Sequence, residues 1–117
     1  MKPVRFVGSA KDNLAAFPKS ARTRAGNELF LTQVGRNPDD WKPMAEIGPG
    51  ACEIRVRDST GAYRVIYVAK FKDAVYVLHA FQKKSQKTTR TDLDLAKQRY
   101  RIAHKIVQGA NHGKEDY

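Results

Sequence analysis

An α+β fold is predicted by a change of apolar period along the chain, from helical spacing to strict alternation and back to helical spacing. Three observations carry this reading. "ACEIRVRD" sets Ile54 and Val56 on one side and Glu53, Arg55 and Arg57 on the other. "DSTG", Asp58 to Gly61, is a hairpin turn that feeds the strand "AYRVIYVAKF", and "KDA" leads from there into "VYVLHAF". Leu93, Ala96, Tyr100, Ala103 and Val107 then recur at helical spacing. The predicted architecture is an N-terminal strand, a two-helix hairpin packed on a small antiparallel meander, and a C-terminal helix.

Each element has a local reason. Val4, Phe6 and Val7 make a short strand that ends at Gly8, and Ser9 suits the cap of a helix through Phe17. Pro18 fits the first turn of a second helix, which Gly35 terminates after Val34. Ala21, Ala25, Leu29, Phe30 and Val34 supply its inward spacing. "RNPDDWKP" reads as loop. Thr91 followed by Asp92 and Asp94 resembles a capped start for the last helix, which makes "QKKSQKTTR", Gln82 to Arg90, an exposed connector. Residues 1–108 form one domain in this reading, and 109–117 form a flexible polar tail.

The 117 residues suffice for one core. The formal net charge of +10 points to a polyanionic partner such as a nucleic acid, an acidic protein or an anionic membrane. With Cys52 as the single cysteine, an internal disulfide and a four-thiolate zinc site are excluded. No signal-peptide core and no run of about 20 apolar residues is found, so the expected location is the cytoplasm, with no membrane partner.

The strands that follow Asp58 are apolar on both sides for much of their length, as central strands are. The helix pair covers one face of the sheet, predicted to carry Ile54, Val56, Val65, Tyr67, Tyr76 and Leu78. Alternation groups Arg64 with Ile66 and Val68, and His79 with Val75, Val77 and Phe81. A charge placed under the helices would cost several kcal/mol, so Arg55, Arg57, Arg64 and His79 are expected together on the opposite face.

"CEIRVRD", "YRVIYVAKF" and above all "VYVLHAFQKKSQKTTRTDLDLAKQRY" resemble the RelE/ParE toxin superfamily, and more closely its HigB-type, phage-derived branch. The resemblance runs from about Val4 to Val107. It implies a RelE-like fold and a cytosolic toxin of a type II toxin–antitoxin module that cuts mRNA, commonly in the ribosomal A site. It also implies silencing by a cognate antitoxin, often of helix-turn-helix type. The superfamily holds gyrase poisons and uncharacterised members too. A ParE-like toxin that binds DNA gyrase without chemistry therefore stands as an alternative, as does an inactive phage-derived relative that acts only as its antitoxin's regulatory partner.

The residues can be read against that chemistry. Metal-free cleavage uses the RNA 2′-OH as nucleophile and needs a base, cations for the phosphorane and an acid for the leaving oxygen, with no cofactor and no metal. His79 titrates in the right range; Arg64 and Arg57 complete the candidate catalytic set. Arg55, Lys83, Lys84, Lys87 and Arg90 are the candidate phosphate contacts, and the ribosome would orient the substrate. The same residues have plain readings as a hydrogen-bonded strand histidine, a solvated strand face and a solvated connector. Tyr100 reads as core.

Overall fold

The computed structural model describes residues 1–115, with side chains through residue 109. Its elements are β1 (Val4–Phe6), α1 (Ala10–Ala15), α2 (Lys19–Gln33), β2 (Trp41–Pro43), β3 (Ala51–Asp58), β4 (Gly61–Val68), β5 (Val75–Lys83) and α3 (Arg90–Glu115). The predicted meander is there: β3, β4 and β5 are successive antiparallel neighbours. Two strands extend it into a sheet ordered β1-β5-β4-β3-β2, with β1 parallel to β5. β2 lies inside the segment expected to be loop. Three residues ending in a proline offer no alternation to detect, and Pro43 is tolerated because β2 is an edge strand.

α1 and α2 cover the first face. Leu14, Phe17, Ala21, Ala25 and Leu29 close over Ile54, Val56, Val65 and Tyr67, as alternation predicts. The inward stripe of α2 is Ala21, Ala25, Leu29 and Thr32, whereas Phe30 and Val34, expected inside, are exposed. Ala21 and Ala25, four positions apart, let the first half of the helix approach the sheet closely, and Leu29 fills the wider gap beyond them.

The expectation fails for two residues of β5. Tyr76 and Leu78 point away from α1 and α2, and Val75, Val77 and Ala80 take that face. The cause is a register shift: Ile66 pairs with His79 but Tyr67 pairs with Val77, so Leu78 is the extra residue of a bulge. One added residue inverts the facing of everything on its far side. His79 and Phe81 thereby remain on the face of Arg64 while Val75 and Val77 leave it.

α3 seals half of the second face. Ala96, Tyr100 and Ala103 pack with Ile66, Val68, Tyr76 and Leu78, and Met44, Ile47 and Phe71 fill the margins. The capping residue is Thr89 and not Thr91: its hydroxyl accepts the Asp92 N–H at 3.2 Å and donates to the Asp92 carboxylate at 2.7 Å. Ser9 precedes α1 but does not cap it, because its hydroxyl accepts from Arg99 at 2.6 Å. Tyr100 is core, as expected, and donates to the Pro49 carbonyl. The α3 backbone continues past Gly109 to Glu115, and the side chains of the expected polar tail beyond it lie outside the described residues. No helix among the described residues is long and apolar enough to cross a membrane.

Candidate functional site

The register lays the charged residues of the second face in three rows. Lys42 pairs with Glu53, Glu53 with Ile66, and Ile66 with His79. Arg55 pairs with Arg64, and Arg64 with Phe81. Arg57 pairs with Ala62, and Ala62 with Lys83. Alternation in β3 and the bulge in β5 thus bring Arg55, Arg57 and Arg64 together, and keep His79 on the same face but in the row nearest α3.

A hollow of about 490 Å³ opens at the Arg57 end, lined by Arg57, Ala62, Arg64, Lys83, Lys84 and the connector residues Ser85 and Gln86. A second, of about 470 Å³, lies under the connector and shares Lys83, Lys84 and Ser85 with the first, adding Lys87 and Asp92. Four cations converge on the first hollow. Burial, followed by the nearby Arg64 guanidinium, pushes the Lys83 ammonium below its usual range. Lys87 and Arg90 are exposed beyond it, and Arg90 forms an ion pair with Asp94 at 3.5 Å.

Arg64 is largely withdrawn from solvent, at 7% exposure. Its Nε lies 3.4 Å from Glu53 Oε1, an ion pair without a hydrogen bond, and its Nη1 donates to the Tyr63 carbonyl at 3.0 Å. Glu53 is 1% exposed and also meets Arg55 Nε at 3.3 Å. Burial lowers the Arg64 pKa even though Glu53 opposes the shift. The residue stays charged, since an arginine needs far more to lose its proton.

His79 lines neither hollow. It is 6% exposed, stacks on Phe81 at 5.1 Å, and its Nε2 is hydrogen-bonded to Asp92 Oδ1 at 2.7 Å. Burial depresses its pKa, against the pull of Asp92 and with help from Arg99. Its buried Nδ1 has no partner. A neutral ring that donates from Nε2 to Asp92 fits this environment, because a proton on Nδ1 would be a buried donor without an acceptor.

Residues 12–101 match the family described as Phage derived protein Gp49-like (DUF891). The chain belongs to that family. It is a RelE/HigB-type toxin family within the RelE superfamily, as the motifs around "HAFQKKSQKT" imply. A solved structure of the E. coli toxin RelE, a double arginine-to-alanine mutant in the free state, superposes with a TM-score of 0.58 at 16% identity. The match covers 73% of this chain and 86% of that one, and it shows a shared fold. No curated protein matches the sequence significantly.

In this Gp49-like chain, three residues near the site escape sequence reasoning. Glu53 is visible as a carboxylate among alternating arginines, but nothing in the pattern says that it is buried. Asp92 reads only as a first-turn helix acid, although its second oxygen reaches back to the sheet. Lys42 sits in the segment read as loop, and only the β2 pairing puts it beside Glu53.

Proposed function

We propose that this Gp49-like chain is the toxin of a type II toxin–antitoxin module and an mRNA endonuclease that works on the ribosome. The observation that carries the reading is the convergence of Arg57, Arg64, Lys83 and Lys84 on one hollow at the edge of a RelE-type sheet. A hollow lined by two guanidinium forks and two ammonium groups suits a phosphodiester, and its lysines continue along the connector through Lys87 to Arg90, where an RNA backbone can follow.

In this reading the 2′-oxygen attacks the adjacent phosphorus while its proton passes to a base, and the P–O5′ bond breaks as O5′ gains a proton. The products are a 2′,3′-cyclic phosphate and a 5′-hydroxyl. Arg57 and Arg64 face the growing phosphorane charge. Lys83, which lines the hollow with a depressed pKa, is better placed for proton transfer than His79, whose Nε2 is engaged by Asp92. His79 then contributes by tying the first turn of α3 to the sheet beside the hollow. With one candidate for proton transfer in the hollow and no evident second, the chain depends on the ribosome to orient its substrate. A cognate antitoxin, usefully acidic, silences the toxin by covering the same cations.

Single-turnover cleavage of mRNA on programmed ribosomes tests this. Fragments with 2′,3′-cyclic phosphate ends are expected, and Lys83→Ala or Arg57→Ala should slow their appearance about a hundredfold. Intact mRNA in an arrested culture, with DNA gyrase inhibited instead, would sink the reading.

A further inference from the structure

We infer that Glu53 is a positioning residue for the phosphate-facing arginines: its buried carboxylate holds Arg64 and Arg55 by their Nε edges and so directs their remaining N–H groups along the second face. This rests on the proposed RNA-cleaving site and adds to it a residue that never touches substrate.

The geometry singles Glu53 out. It is 1% exposed and lies in the row of Lys42, next to the row of Arg55 and Arg64. One oxygen, Oε1, accepts a hydrogen bond from Arg55 Nε at 3.3 Å and forms an ion pair with Arg64 Nε at 3.4 Å without a hydrogen bond, and the buried Oε2 has no partner. A carboxylate used for stability alone would normally satisfy both oxygens. Here one oxygen accepts from Arg55 and faces the charge of Arg64, each at the Nε edge. Arg64 Nη1 is taken by the Tyr63 carbonyl and its buried Nε faces Glu53 as an ion pair without a hydrogen bond, so Nη2 is the nitrogen left for a ligand while Arg64 lines the hollow. A guanidinium is planar, so the Nη1 hydrogen bond together with the ion pair at Nε sets the direction of the third nitrogen.

Charge sharpens the point. On a face meant only to attract a polyanion, a buried carboxylate among Lys42, Arg55, Arg57, Arg64 and Lys83 lowers the attraction. Its presence is accounted for when orientation counts more than total charge. Like-charged Arg55 and Arg64, paired across β3 and β4, would otherwise spread apart.

The consequence has an unusual sign. Glu53→Gln keeps the shape and removes the negative charge, so affinity for a short single-stranded RNA should stay level or rise. The cleavage rate at saturating ribosomes should fall by at least tenfold, and Glu53→Asp, which keeps the charge, should recover part of it. A purely structural role would instead lower binding and cleavage together. A readout independent of activity is the hydrogen exchange of the arginine Nε–H groups, followed by NMR in the full chain and assigned with Arg55→Lys and Arg64→Lys. In the wild-type protein the Arg64 Nε–H should exchange slowly, and Glu53→Gln should speed it at least tenfold. If Glu53→Gln fails to fold, the wild-type exchange decides alone: an Arg64 Nε–H as fast as that of a free arginine overturns the inference. So does unchanged exchange in a folded Glu53→Gln. If wild-type protein cleaves no RNA while its Arg64 Nε–H is protected and Glu53→Gln releases it, the nuclease reading fails and the positioning of Arg64 by Glu53 stands.

Discussion

One face of the sheet is covered by α1 and α2 and half of the other by α3, and the two are built from different material. Under α1 and α2 the buried side chains are apolar, apart from Thr32, which returns its hydroxyl to the Leu29 carbonyl. On the α3 side the buried set includes Glu53, Arg64, His79 and Arg99. Each of these has at least one partner: Glu53 with Arg64, His79 with Asp92, and Arg99 with the Leu78 carbonyl, Ser9 and Asn13. Buried charge is costly and its removal often raises stability, so its concentration on one face marks where the molecule keeps groups for something other than holding itself together. The first face makes the fold, and the second is where function is accommodated.

That contrast can be broken most forcefully at Arg64. Arg64→Ala should cut single-turnover cleavage about a hundredfold. It should also destabilise by about 3–5 kcal/mol in urea unfolding, because Glu53 is left buried with only the half-exposed Arg55. Ile54→Ala on the first face should cost a similar 2–5 kcal/mol by leaving a cavity, while cleavage by the folded fraction is unchanged. The double replacement Glu53→Leu with Arg64→Met makes the second face resemble the first; it should regain the lost stability and no activity. Equal cleavage in the two single variants would erase the distinction between the faces.

A smaller effect is expected on RNA affinity where β5 runs into the connector. Lys83→Ala with Lys84→Ala should weaken RNA binding and flatten the plot of log affinity against log salt by about 1.4, at about 0.7 per contact for a single strand. Fluorescence anisotropy at several salt concentrations reads this directly. An unchanged slope would place the RNA elsewhere.

His79 gives a pH signature. Its folded pKa lies below the unfolded value near 6.5, so the unfolded chain takes up the proton first. Its contribution is complete above the unfolded pKa and is lost as pH falls through that value toward the folded one. The urea midpoint should therefore decline between pH 7.5 and 5.5, and His79→Gln should flatten this part of the profile. A midpoint that rises on acidification would mean that Asp92 outweighs burial. The smallest effect is expected at the cap, where Thr89→Ala should cost about 1 kcal/mol and leave the sheet arginines untouched.

How far the site was legible depended on the range of the interactions involved. Alternation in "ACEIRVRD" suffices to separate Arg55 and Arg57 from Ile54 and Val56, because side-chain direction along a strand is a local property. The helix-forming stretches and the cationic connector are equally local, and so is the family signature around His79. Other features depend on pairing. β2 exists because Trp41 to Pro43 find β3, and the bulge at Leu78 follows from how β5 fits β4, so neither had a periodic signal of its own. The burial of His79 and Arg64 was illegible for the same reason: the partners that make it tolerable, Asp92 and Glu53, are respectively 13 and 11 positions away and meet them only in the folded chain. By itself, then, the sequence determined the types of the longer elements, the facing within β3 and β4 and the excess of positive charge, all of which follow from neighbouring residues. The tertiary structure alone decided which cations line a hollow and which are paired and enclosed, because solvent exposure and ion pairing are set by what packs across the sheet.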